Sequence, residues 1–170
     1  MGLEGSGFFR GGGFELECHS ARGLSRPRAP DMAATGEMPM SFAALDKWHA
    51  HVKSGDPADV PALLAEDAVF QSPVVHTPQA GRAVAALYLQ AAMSLLNNGT
   101  FRYLGEWTAE RTAVLEFEAV VDGITINGVD MIWWNEDGLI TRFKVMIRPL
   151  KAINLLHARM AALFALAKAS

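Results

Sequence analysis

The chain predicts an α+β fold: a curved, mostly antiparallel sheet of four to five strands wrapped on helices to form a conical cavity, followed by a C-terminal helix. Three observations carry this expectation. Residues 112–147 read as three successive strands, with turns marked by Asp122-Gly123 and Asp137-Gly138, dipeptides that tolerate the positive φ of tight hairpins. Apolar residues recur at helical spacing three times before this region and once after it. Helices grouped apart from consecutive strands, rather than alternating with them, indicate α+β layering.

Taken in order, residues 1–39 mix Gly, Arg, Pro and Ser without a sustained period, which predicts a disordered tail or a mis-assigned leader with a later start such as Met32. Residues 40–149 form the expected domain. Ser41 precedes a helical pattern of Phe42, Leu45, Trp48 and Val52 that Gly55 closes. Asp56-Pro57 starts a short helix through Val60, Leu63 and Leu64, ended by Glu66-Asp67. Ala68–Ser72 alternates as a strand that Pro73 halts, and the loop carrying His76 leads to a long helix from Gly81 to Asn97. Phe101–Ala109 is a further strand, with Phe101, Tyr103 and Trp107 on one face. Residues 150–170 present Ile153, Leu156, Met160, Leu163 and Phe164 at helical spacing, a closing amphipathic helix packed on the domain.

The register of the three central strands isolates one charge. Two-residue turns place Val121 opposite Ile124, and Asp130 beside both Leu115 and Val145, on a face shared with Phe117, Ile126, Ile132, Trp134, Phe143 and Ile147. A carboxyl among such neighbours is disfavoured in its charged form, so its pKa rises toward the range of a proton donor or shuttle. The alternative is a structural carboxyl satisfied by Trp48 Nε1–H or by His76. His76 could instead act at the cavity mouth as base or partner of Asp130.

Length and composition bound the rest. A chain of 170 residues with 51% hydrophobic content suits one domain with a sizeable core. A net charge of −3 with scattered Lys and Arg argues against nucleic-acid binding. No apolar run approaches the ~18 residues of a membrane span. A single cysteine, Cys18, allows no internal disulfide, and a cytoplasmic location is expected. His49 and His51, two apart on a helix, cannot share a face to bind metal. No cofactor or metal is expected.

The stretches SGDPADVPALLAEDAVFQSP, the Gly81-Arg82 pair before the long helix, and GVDMIWWNEDGLI resemble the nuclear transport factor 2-like superfamily, in its SnoaL-like and ketosteroid-isomerase-like branch. The resemblance implies the cone-shaped fold, a pocket for an apolar molecule, and isomerase- or cyclase-like proton transfer. Position by position, the steroid isomerases' base falls at Ser72, their oxyanion-hole tyrosine at Trp48, and their partner aspartic acid at Asp130. The essential aspartate of the epoxide-hydrolase and cyclase branches falls at Val145, and their first-strand Tyr and Asn fall at Phe70 and Ser72.

Two readings follow. In one, Asp130 and His76 are catalytic, and Trp48, Phe70, Ser72, Phe117, Ile132, Trp134, Phe143 and Val145 bind a small apolar ligand. In the other the chain is a non-catalytic homodimeric module whose hollow is filled by Met160 and Phe164. In both, Val120, Val129, Met131 and Trp133 lie on the outer sheet face and predict a homodimer through it.

Overall fold

The computed structural model describes residues 41–169; the expected tail over residues 1–39, with Cys18, lies outside the described residues. Helix α1 (Ser41–Ser54), a 3₁₀ turn (Pro57–Asp59) and α2 (Val60–Leu63) lead into β1 (Leu64–Gln71), β2 (Gln79–Ala80) and α3 (Arg82–Leu96). Strands β3 (Arg102–Ala109), β4 (Thr112–Val121), β5 (Ile124–Trp134) and β6 (Ile140–Arg148) follow, and α4 (Leu150–Ala169) closes the chain.

Local chemistry accounts for the boundaries. Gly55, at φ +69°, stops α1 by returning its N–H to His51 O at 3.0 Å. The Asp56 carboxylate accepts the Ala58 N–H at 2.9 Å ahead of Pro57, as the sequence predicted, although the short helix divides into a 3₁₀ turn and α2. That helix ends at Leu63 rather than at Glu66-Asp67, because the following residues are already strand: Leu64, Ala65 and Ala68 are buried along β1.

The sheet has six strands in the order β2-β1-β6-β5-β4-β3. The expectation of four to five fell short because the two-residue β2 pairs with β1 through Val69 and Phe70. The sheet is mixed, since β1 runs parallel to β6 and sets Phe70 beside Phe143.

The central register is as predicted. Asp122 and Gly123, at φ +50° and +73°, form the two-residue turn that pairs Val121 with Ile124 and Leu115 with Asp130. The second turn is one residue longer than expected: Asn135 N–H reaches Leu139 O at 2.9 Å around residues 136–138, with Gly138 at φ +71°. A bulge at Thr141 inserts a compensating residue in β6, so that Ile132 still meets Phe143 and Asp130 still meets Val145.

Helices α1 and α3 cover the inner face. Ala85, Ala86 and Leu89 of α3 are buried, two small residues allowing the helix to lie close to the sheet, and Leu45 and Trp48 enter from α1. Helix α4 buries Ala152, Leu156 and Met160, spaced one turn apart on a single stripe. No described helix is long and apolar enough to cross a membrane.

Candidate functional site

The helices and the inner sheet face line a partly open cavity of about 70 Å³. Six aromatic side chains dominate its lining: Trp48, Phe70, Phe101, Tyr103, Phe117 and Phe143. Phe117 takes its place because Gly128 opposite it has no side chain; a Cβ there would fall 2.7 Å from the ring's Cε1.

Among the described residues, Asp130 is the carboxyl of this lining, and no Lys, Arg or His belongs to it. Its residue is 6% exposed. Burial pushes the carboxyl up from 3.8 to about 7, against a hydrogen bond from Tyr103 that favours the charged form. The Tyr103 hydroxyl donates to Asp130 Oδ2 at 3.2 Å and accepts the Trp48 indole N–H at 2.8 Å. Burial, and then the neighbouring carboxyl, raise the Tyr103 phenol well above its ordinary range, so it remains a donor at any physiological pH. The chain Trp48 to Tyr103 to Asp130 therefore points its donors toward the carboxyl. The carboxyl itself faces an apolar chamber.

Tyr103 joins the candidate site through these hydrogen bonds, although alternation in the sequence assigns it no role. Alternation groups it on one face with Trp107, but a bulge between Tyr103 and Gly105 shifts the alternation by one residue. Tyr103 consequently faces inward opposite Phe117, whereas Trp107 pairs with Val114 on the outer face and is 59% exposed. The available signal was the scarcity of tyrosine, two in the chain, with Tyr103 two residues after the inward-facing Phe101. Edge-on packing against Phe101 (5.1 Å) and His49 (5.5 Å) holds the ring in place. His49 is in turn held by Glu106 at 2.7 Å.

The predicted ligand residues separate into two groups. Trp48, Phe70, Ser72, Phe117, Phe143 and Val145 line the cavity. Ile132 and Trp134 share the Asp130 face but do not reach the cavity, because they lie farther toward the β5–β6 turn, where the core closes around them. His76 does not meet Asp130: Pro73 and Val74 turn into the cavity, and the chain then runs outward, leaving His76 exposed. Ser72, at the position of the steroid-isomerase base, accepts the Val74 N–H at 3.2 Å. Of the two fillers foreseen from α4, Met160 lines the cavity, whereas Phe164 packs 4.8 Å from Tyr88.

Behind the lining, His51 is buried with Nε2 3.0 Å from Met93 Sδ, and its Nδ1 has no hydrogen-bond partner among the described residues. Burial lowers its pKa, opposed by the fields of Asp59 and Asp56. Among the described residues no group of three or more His, Cys, Asp or Glu is placed to hold a metal.

A family profile described as a SnoaL-like domain matches residues 45–143. Among solved structures, a steroid delta-isomerase from Pseudomonas aeruginosa is 34% identical, with a TM-score of 0.73, covering 76% of this chain and 95% of that one. An uncharacterised protein with a cystatin-like fold from Silicibacter pomeroyi is 32% identical, with a TM-score of 0.67, covering 74% and 86%. The epoxide hydrolase/cyclase-like enzyme SalBIII, of pyran-ring formation in salinomycin, shares the fold at 16% identity and a TM-score of 0.53, covering 64% and 90%. No protein of curated function matches the sequence.

Proposed function

The chain belongs to the SnoaL-like family of the nuclear transport factor 2-like superfamily, and from this premise we propose that its cavity binds a small, neutral, largely apolar molecule through one oxygen atom. Asp130 serves as hydrogen-bond and proton donor to that oxygen. The observation that carries the proposal is the placement of a buried carboxyl in an aromatic chamber where, among the described residues, no cation lines the wall to keep it ionised, so that burial pushes its pKa up to about 7. At neutrality a large fraction of Asp130 is protonated. An O–H directed into an apolar cavity is worth most to a ligand oxygen that gains negative charge.

The kinship with a steroid delta-isomerase supports proton-transfer chemistry of that kind, but the position of its base holds Ser72, a hydroxyl already turned to Val74 N–H. In this reading Asp130 supplies the proton-donating carboxyl of such a site, Trp48 stands at its tyrosine's position, and no carboxylate is at hand to remove a proton from carbon. Catalysis by Asp130 therefore suits substrates activated by proton donation to oxygen.

Binding of 1-tetralone and of its hydrocarbon parent tetralin, measured by calorimetry at pH 6 and pH 8, tests this. The ketone should gain over the hydrocarbon at pH 6 and lose that gain at pH 8, and Asp130→Asn should remove the pH dependence. An equal preference at both pH values would refute the donor role. No solvent deuterium uptake is expected at the ketone's α-carbon by NMR, because Ser72 supplies no base to remove that proton.

The outer face favours a second proposal, a homodimer. Trp107, Val114 and Met131 form one row across β3, β4 and β5, and Val129 and Met146 pair in the next, with Trp107 and Met146 both well exposed. Charged neighbours such as the Arg102–Glu118 pair rim this patch. Light scattering at micromolar concentration should give twice the chain mass, and Trp107→Lys should give a monomer; a monomeric parent protein would rule the dimer out. The single cysteine keeps a cytoplasmic place of action as part of the proposal.

A further inference from the structure

Helix α4 contributes Leu156 and Met160 to the cavity wall, although the segment matched by the family profile ends at residue 143, before α4 begins at Leu150. Its attachment differs from that of the other helices around the chamber. Helix α1 is tied to α3 by the Asn97 side chain on Val52 O at 2.8 Å, and α3 is tied to β1 by Arg82 Nε on Leu64 O at 2.9 Å. In α4, Ala152 is fully buried near the start, while farther along, Arg159 grips the β4–β5 turn and the Phe164 ring packs 4.8 Å from Tyr88 of α3. There Nε and Nη2 both reach Asp122 Oδ2, at 2.8 and 2.5 Å. This ion pair stands between Leu156 and Met160 in the sequence, on the stretch of helix that covers the cavity.

The pair is also half in solvent, with 53% of the Arg159 side chain and 45% of the Asp122 side chain exposed. An exposed ion pair contributes little and is screened by salt. It is thus a fastening that opens easily, set beside the two α4 residues that face the ligand space.

Resting on the reading of the cavity as a ligand site, we propose that α4 is both its gate and its size filter. Met160 and Leu156 limit the length of ligand accommodated, and the Arg159–Asp122 latch sets how often the distal part of the helix lifts to admit one. Ala152, buried at the proximal end, remains the pivot.

Stopped-flow fluorescence with two neutral probes tests this: the compact 2-naphthol and the longer N-phenyl-1-naphthylamine. Asp122→Asn is the informative latch variant, because Asn tolerates the positive φ of the turn while losing the charge. Asp122→Asn and Arg159→Gln should each raise the association and dissociation rates of 2-naphthol together, by about two- to fivefold, with Kd nearly unchanged. The double variant should show no further gain. Raising salt from about 0.05 M to about 0.5 M should speed exchange in the parent protein but not in the variants. Met160→Ala should favour the longer probe over the shorter one. Probe binding with rates indifferent to both latch substitutions would overturn the gate and leave the ligand site standing, and an unchanged preference in Met160→Ala would overturn the filter. Failure of every neutral ligand, probes and tetralone alike, to bind the parent protein saturably would sink the ligand site itself, and the gate with it.

Discussion

Replacing Asp130 by Asn isolates the cost of keeping one carboxyl in the core. In the unfolded chain the group titrates near 3.8, and in the folded protein burial moves it to about 7. Below pH 3.8 both states hold the proton and Asp130 has no effect on the balance. Between the two values the unfolded chain has released a proton that the folded chain retains, so stability falls as pH rises, by about 1.4 kcal/mol per pH unit. Above pH 7 both states are ionised and the full penalty, about 4 kcal/mol, is in place. Asparagine keeps an oxygen to accept from Tyr103 but cannot ionise. The variant should therefore lie within about 1 kcal/mol of the parent protein at pH 4.5 and exceed it by up to about 4 kcal/mol at pH 8, an increase of about 2 M in the urea midpoint. Urea titrations of both proteins, from pH 4.5 to pH 8.5 at constant ionic strength, measure the difference, and every other titrating group cancels. Two profiles separated by a constant offset would mean that Asp130 titrates alike in the folded and unfolded states, and the argument from burial would fail.

Tyr103→Phe removes the hydrogen bond that favours the charged carboxyl, so the Asp130 pKa should rise further, read from its side-chain carbon by NMR. Trp48→Phe should move it in the same direction by less, since it only weakens Tyr103 as a donor. Gly128→Ala forces a methyl group against the Phe117 ring and should cost about 1–3 kcal/mol in thermal or urea unfolding, with loss of probe affinity as the ring moves into the cavity. His51 has a lowered folded pKa, so its contribution is complete above 6.5 and declines as pH falls through the folded value. His51→Leu should accordingly lose less of its melting temperature between pH 7 and pH 5 than the parent protein does.

Much of the scaffold was legible because its determinants are local. Asp-Gly supplies the positive φ of a two-residue turn, and period-two alternation then assigns every side chain of β4 and β5 to a face, which is why the burial of Asp130 and its neighbours Leu115 and Val145 could be read directly. The second turn shows the limit of that logic. Its extra residue would have reversed the faces of β6 had the bulge at Thr141 not compensated, and neither is encoded in a periodic signal. β2 was missed for a similar reason: two residues carry no period, and only the neighbouring β1 makes them a strand.

The candidate site divides along the same line. Turn chemistry and alternation within one stretch of chain are enough to withdraw one carboxyl from water on the inner face of the sheet. What that carboxyl touches follows from packing between distant elements. Tyr103 reaches it across 27 positions and Trp48 reaches Tyr103 across 55, through a bulge in β3 that alternation could not reveal, while the loop that was to deliver His76 turns outward. Such contacts depend on how separate elements pack in space, where displacing an edge strand by one residue exchanges a hydrogen-bonding phenol for a side chain facing solvent.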